Sequence, residues 1–258
     1  MSITGEDQIV RAALAEDYGR GDATSYAVIE RGTQMQARLI ARESGVLAGL
    51  DTALLAFSLL DSTIKIERYS HDGMVLEPGT VIAEIDGPAR SILGAERTAL
   101  NFMTHLSGIA SLTARYVAAI DGTKAQIVDT RKTLPGLRHV QKAAVKAGGG
   151  VNHRIGLDDG ILIKDNHIAM AGGIEAALTR AVHNAGYLLK IQIEVDTLEQ
   201  LEQVLKHGGA DAVLLDNMDT ATLSQAVAMI DKRFVTEASG GVNLDTVAEI
   251  AGTGVDYI

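Results

Sequence analysis

From Gln126 onward one pattern repeats: a short apolar run, a polar residue at its end, then an amphipathic stretch. The runs are 126–129, 161–164, 189–194, 212–216, 235–237 and 255–258, and helical periodicity fills 137–147, 173–184, 197–207, 220–231 and 244–250. Six strands alternating with helices predict a parallel sheet, and spacing this tight predicts a barrel rather than an open sheet. Strands covered on both faces are expected to be nearly continuous in apolar residues, and most of these are.

In such barrels the chemistry sits at the carboxyl ends of the strands. Those ends carry Asp129 with Arg131-Lys132, Lys164-Asp165-Asn166, Glu194, Asp216-Asn217, and Glu237 with Ser239-Gly-Gly241. One charged residue after a strand is commonly a helix N-cap. Five in register on one rim call for a site.

Charge is unevenly spread along the chain. The net charge is −10, yet residues 130–157 hold no Asp or Glu while carrying Arg131, Lys132, Arg138, Lys142, Lys146 and Arg154, with His139 and His153. Lys142, Lys146 and His139 read as a solvated helix face. Arg131, Lys132 and Arg154 lie where Pro and Gly break the chain into loops, which points to a pocket for a polyanionic small molecule. The acidic balance argues against a nucleic-acid partner, which requires a broad basic surface. Cysteine is absent, which excludes disulfides, thiolate metal sites and a cysteine nucleophile. Aromatics make up 3% and Trp is missing, so the core must be aliphatic. Residues 1–22 contain no apolar export segment, and the apolar run 46–60 is broken by Asp51, so neither export nor a membrane span is expected. The expectation is a soluble, cytoplasmic chain.

Before the repeating pattern the sequence is mixed. Residues 6–16 and 52–60 read as helices, and 36–41, 46–50, 64–70 and 81–85 as short strands, with turns at Asp72-Gly73 and Pro78-Gly79. This predicts an α+β domain of antiparallel strands without a convergent catalytic cluster. Residues 92–119 read as one or two helices with a break at Gly108, carrying Arg97 as a surface residue paired locally with Glu96.

On the rim, Arg131, Lys132, Arg154 and Lys164 would hold more than one carboxylate or phosphate. Glu194 and Asp216, on successive strands, suit ribose hydroxyls or a magnesium ion carried by a phosphorylated substrate. Ser239-Gly-Gly-Val-Asn243, ahead of a helix expected near Leu244, would admit a phosphate. The residues therefore describe a barrel enzyme that binds a phosphorylated sugar beside an anionic partner, with the reaction left open.

The motifs Asp129-Thr-Arg-Lys-Thr-Leu-Pro-Gly-Leu-Arg138, Gly148-Gly-Gly-Val-Asn-His-Arg154, Ile163-Lys-Asp-Asn-His167 and Ala238-Ser-Gly-Gly-Val242 resemble quinolinate phosphoribosyltransferase. The likeness extends to Glu16-Asp-Tyr-Gly-Arg-Gly-Asp-Ala-Thr24 and Glu96-Arg-Thr-Ala-Leu-Asn101, and so to nearly the whole chain. It implies transfer of phosphoribose from phosphoribosyl pyrophosphate to quinolinate with decarboxylation, giving nicotinate mononucleotide for NAD biosynthesis. It implies an N-terminal α/β sandwich-like domain over 1–106, an open α/β barrel over 107–258, and a homodimer. By the same resemblance Arg131, Arg154 and Lys164 hold the carboxylates, with Thr130 and His153 beside them, and Arg97 reaches the partner's site in trans. Lys132 lies near the phosphates, Glu194 and Asp216 face the ribose and Mg2+, and Ser239, Gly240 and Gly241 take the 5′-phosphate. Lys132, Glu194 and Asp216 are the expected catalytic residues, and no protein-held metal is expected. The family runs on past the strand ending at Ile258, so the barrel is expected to be incomplete at its C-terminal end. Two alternatives remain: a related pyrophosphorylase of the molybdenum-transport type acting on another base, and a catalytically impaired binding protein.

Overall fold

Helix α1 (Gly5–Asp17) opens the computed structural model, which describes residues 5–258, and buries Val10 and Leu14 one helical turn apart. Asp22 caps α2 (Ala23–Val28) by accepting the N–H groups of Thr24 and Ser25 at 3.0 and 3.2 Å. Next in the chain are strand β1 (Gln34–Ile40) and the two-residue β2 (Gly45–Val46). The latter is shorter than the strand expected over 46–50, because Gly49 turns the chain at φ 77° and Leu50 begins α3 (Leu50–Leu60). A Cβ at Gly49 would meet Leu106 Cδ1 at 2.3 Å, so close packing as well as φ calls for glycine. The first N–H groups of α3 are met from a distance: Gly49 and Leu50 donate to the carboxylate of Asp72 at 2.9 and 3.0 Å.

Beyond α3 come β3 (Lys65–Arg68), β4 (Val75–Leu76), β5 (Val81–Pro88) and the long α4 (Ala89–Ala119). Strands β1, β5 and β3 form an antiparallel sheet in that order, while β2 and β4 pair separately. Their core is aliphatic but for Phe57, Phe102 and Met103. Helix α4 runs unbroken through Gly108, so the one-helix reading of this stretch holds.

The chain divides into two compact units, one reaching to Ala114 and adding Lys132–Gly150, the other made of Arg115–Arg131 with Val151–Ile258. Helix α5 (Arg138–Ala147) thus belongs to the first unit, where Val140 and Ala144 pack with Val46, Ala48, Leu106 and Ala110. Lys142 on this helix is only 3% exposed, so the solvated face expected there fails for it while holding for Lys146 and His139.

The second unit contains β6 (Ile161–Ile163), α6 (Asp165–Ala171), α7 (Ile174–Asn184), β7 (Ile191–Val195), α8 (Leu198–His207), β8 (Ala212–Asp216), α9 (Thr220–Ile230), β9 (Val235–Ser239) and α10 (Val247–Gly252). Strands β6 to β9 are parallel neighbours in chain order. Single parallel bridges continue the sheet from Glu237 to Tyr257, from Tyr257 to Gln126, and from Val128 to Val151. The first and last expected strands are therefore bridges rather than full strands. Alternation sets the two faces. Ile193, Val213, Leu215 and Ala238 join the helical residues Leu178, Leu201, Val204 and Leu223 in one core. The alternate residues, among them Gln192, Glu194, Asp216, Glu237 and Ser239, turn to the opposite face. Among the described residues no helix is long and apolar enough to cross a membrane.

Candidate active site

The carboxyl ends of the parallel stretches in the second unit carry Asp129, Lys164, Glu194, Asp216 and Ser239. Asp129 closes the stretch through Val128, and its Oδ1 accepts the His153 N–H at 2.8 Å while Oδ2 accepts the Asn152 side-chain amide at 2.6 Å. One carboxylate thereby fixes where the loop carrying His153 and Arg154 leaves the sheet. The Arg154 guanidinium donates to the Gly160 carbonyl at 2.8 Å. Burial, and then the nearby Arg131 cation, hold its pKa below the ordinary arginine value. Two guanidiniums placed to repel each other suit a ligand with more than one negative charge. Thr130, between Asp129 and Arg131 in sequence, is exposed.

Lys164 follows β6, and its ammonium forms an ion pair with Glu194 on β7. Thus Lys164, expected on a substrate carboxylate, is held by a protein carboxylate in this state. Glu194 and Asp216 are neighbours across β7 and β8, as expected, and Asp196 joins them. One carboxylate oxygen from each of Glu194, Asp196 and Asp216 lies within 4.8 Å of the others. A hard divalent cation that takes oxygen ligands at about 2.0–2.6 Å fits such a set. Asp216 also accepts the Asn217 side-chain amide at 2.5 Å.

Asn217 has φ 54°, and its N–H donates to the Ser239 carbonyl at 2.8 Å, which draws the β8 and β9 ends together. Gly240 has φ 91°, and a Cβ there would fall 2.1 Å from Asn217 Oδ1. Only glycine fits at that position. After Gly241 the loop departs from expectation. Helix α10 starts at Val247, not near Leu244, because Asn243 folds the intervening residues into a turn. Its Oδ1 accepts the N–H groups of Asp245 and Thr246 at 2.8 and 3.1 Å. The Ser239-Gly240-Gly241 turn is therefore followed first by the Asn243 turn, whose carbonyl accepts the Thr246 and Val247 N–H groups at 3.2 and 2.9 Å and leads into α10.

Beneath the rim lies a buried polar layer. His153 Nε2 is 2.8 Å from Gln192 Oε1, Gln192 Nε2 donates to Glu237 Oε2 at 2.7 Å, and Glu237 Oε2 is 3.5 Å from His153 Nε2. The Glu237 carboxylate, acting against burial, raises the His153 pKa above the ordinary imidazole value. Strand β9 runs on to Ser239, so Glu237, expected at a strand end, sits one layer lower. A cavity of about 430 Å3 joins this layer and Arg154 to Ile161, Lys190, Ala212 and Val235 at the amino ends of the strands. Another, of about 550 Å3, is lined by Lys124, Asp211, Lys232 and Arg233. It lies at the amino ends of β8 and β9, away from the rim.

Arg97 and Lys132 belong to the first unit, Arg97 on α4 and Lys132 in the loop before α5, and Arg97 is exposed. No ion pair joins Arg97 to Glu96 among the described residues, so the local pairing expected for it is absent. Sequence reasoning did not single out Asp196 or Gln192. The alternation Glu194-Val-Asp196 carried a signal for the first. Gln192, neutral within an apolar run, carried none.

Sequence models for the quinolinate phosphoribosyl transferase N-terminal and C-terminal domains match residues 22–107 and 109–258. The chain is 46% identical over 258 residues to the nicotinate-nucleotide pyrophosphorylase [carboxylating] of Mycobacterium leprae, covering 96% of this chain and 89% of that one. It is 43% identical over 244 residues to the probable enzyme of the same name from Bacillus subtilis, covering 94% and 83%. The solved nicotinate-nucleotide pyrophosphorylase of Francisella tularensis superposes with a TM-score of 0.94 at 40% identity, over 98% of this chain and 89% of that one.

Proposed function

The chain belongs to the quinolinate phosphoribosyltransferase family, and from that premise we propose that it transfers phosphoribose from phosphoribosyl pyrophosphate to quinolinate, releasing pyrophosphate and CO2 and leaving nicotinate mononucleotide. What supports this reading is a pair of mutually repelling guanidiniums, Arg131 and Arg154, in the same unit as three clustered carboxylates. A dianionic base and a sugar whose C1 becomes cationic need that pairing of opposite fields.

Arg131 and Arg154 receive the two carboxylates, with Thr130 and His153 beside them. Lys164 serves the same substrate by exchanging Glu194 for it. Glu194 and Asp216 face the ribose, and with Asp196 their oxygens suit a magnesium ion that arrives as part of the phosphoribosyl pyrophosphate. Ser239, Gly240 and Gly241 take the 5′-phosphate, and Lys132 lies toward the pyrophosphate. The pyridine nitrogen forms the bond to C1 as the bond to pyrophosphate breaks. Positive charge that builds on C1 and the ring oxygen is stabilised by Glu194 and Asp216. The ribosylated nitrogen is then cationic, so it draws the electrons of the departing carboxylate into the ring, and a proton replaces CO2. Positioning and electrostatics supply the catalysis, with no protein nucleophile.

The reading extends to a cytoplasmic homodimer in which Arg97 completes the partner's site. Its exposure on α4 supports that role, and a chain without cysteine suits a reducing compartment. The test is incubation with quinolinate, phosphoribosyl pyrophosphate and Mg2+. Nicotinate mononucleotide, pyrophosphate and CO2 should form in equal amounts, and nicotinate should not replace quinolinate. Product from another base with none from quinolinate would refute the assignment.

A further inference from the structure

Barrel interiors are ordinarily filled by layers of Val, Ile and Leu. Here Gln192, 8% exposed, and the largely buried Glu237 stand in the layer below the rim. Burying an amide and a carboxylate costs stability unless each finds partners, so their presence calls for a purpose other than packing.

The hydrogen bonds in this layer run in one direction. Ionised Glu237 can only accept, so the Gln192 Nε2 amide must point at it, at 2.7 Å. That turns Gln192 Oε1 toward His153, where it can only accept, at 2.8 Å from Nε2. The imidazole proton is thereby placed on Nε2. Nδ1 keeps its lone pair and accepts the Arg154 backbone N–H at 2.8 Å. Glu237, 3.5 Å from Nε2 and also linked to it through Gln192, thus selects a histidine tautomer, and the tautomer pins the main chain of the arginine next to it.

We propose that Gln192 and Glu237 are positioning residues that set the His153 tautomer and through it the placement of Arg154 at the carboxylate end of the quinolinate site. This rests on the function proposed above. It assigns to the two residues no contact with substrate. The groups that face the His153 ring include Glu237, Gln192 and the Arg154 main chain, with the Arg154 cation close enough to oppose its protonation.

The variant Glu237→Gln keeps the volume but can either donate or accept, so it no longer forces the Gln192 amide to one orientation. Flipped, Gln192 would offer N–H to Nε2, move the ring proton to Nδ1, and set it against the Arg154 N–H. At a pH above the His153 pKa, ring 15N spectra of the intact protein should show Nδ1 as the unprotonated nitrogen in the wild type, and averaged tautomers with a lower His153 pKa in Glu237→Gln. Calorimetry should show quinolinate binding weakened about tenfold, with phosphoribosyl pyrophosphate affinity within about twofold and Tm unchanged. Gln192→Leu, which removes both links, should weaken quinolinate binding at least as much.

Unchanged tautomer and quinolinate affinity in Glu237→Gln would overturn the proposal. Equal losses for both substrates would overturn it too, by showing a general structural role. The nitrogen spectra need no ligand. A wild type that ignored quinolinate would therefore sink the functional reading alone, while the His153 network would stand or fall on the spectra.

Discussion

Replacing Asp216 by Asn should stabilise the free protein while crippling the reaction. The carboxylate oxygens of Glu194, Asp196 and Asp216 lie within 4.8 Å of one another. Two unit charges at 4.8 Å repel by about 0.9 kcal/mol in water and about 3.5 kcal/mol at an effective dielectric of 20. Lys164 pairs with Glu194 and offsets part of this, but no ion pair reaches Asp216 among the described residues. Asp196 is exposed and screened, which leaves the Glu194–Asp216 repulsion as the main term. The amide keeps the shape, and its oxygen still accepts from Asn217. Relief of roughly 1 kcal/mol is expected, which corresponds to a rise in Tm of about 2–4 °C.

Turnover should move the other way. A charge aimed at a developing cation is typically worth about 10²–10³ in kcat. Quinolinate affinity, which depends on Arg131 and Arg154, should change little. Magnesium should raise the Tm of the wild type and have less effect on the variant, since it relieves a repulsion the variant lacks. Differential scanning fluorimetry with and without Mg2+, beside steady-state kinetics, reads all of these outcomes. A lower Tm together with unchanged kcat would refute the electrostatic account.

Quinolinate should bind about a hundredfold more tightly than nicotinate, because one carboxylate leaves a half-buried guanidinium without its substrate partner; equal affinities by calorimetry would exclude Arg131 and Arg154 as the dianion site. Arg97→Ala and Lys164→Ala should each be inactive, yet equal co-refolding should restore about a quarter of wild-type activity, since half the dimers are mixed and hold one intact site. An inactive mixture would mean that Arg97 acts within its own chain. Asp256 accepts Lys124 Nζ at 2.6 Å and the Thr236 N–H and hydroxyl at 2.8 Å each. Burial pushes its pKa up, but Lys124 and Thr236 outweigh burial and leave it below the ordinary carboxylate value. A depressed folded pKa adds stability that is present above the unfolded value and lost as pH falls through the folded one. Asp256→Asn should therefore cost about 1–3 kcal/mol at neutral pH, and melting curves of the two proteins should converge below pH of about 4.

The repeating apolar runs were enough to establish the parallel β/α unit, because burial on a parallel sheet imposes a pattern that local composition displays. The same register placed Lys164, Glu194 and Asp216 on one rim, since a strand of known direction ends at a known residue. The clustering of Arg131 and Arg154 was legible too, from the long stretch without acids around them. Other features depended on residues distant in sequence. The cap of α3 comes from Asp72, 22 residues away from Leu50, and no local signal marks it. Helix α5 lies between strand-like segments in sequence yet packs in the first unit, which buries Lys142 against the expectation of a solvated face. Helix α10 starts late because Asn243 captures two N–H groups first, a competition that helical periodicity does not record. Gln192 is the sharpest case. In the sequence it is a neutral residue in an apolar run; in the fold, Glu237, 45 residues on, fixes its amide and sets the direction of a chain of hydrogen bonds. Sequence periodicity reports which face a residue takes, because one strand suffices to define a face. Hydrogen-bond direction requires donor and acceptor from several strands at once, and only the tertiary structure brings them together.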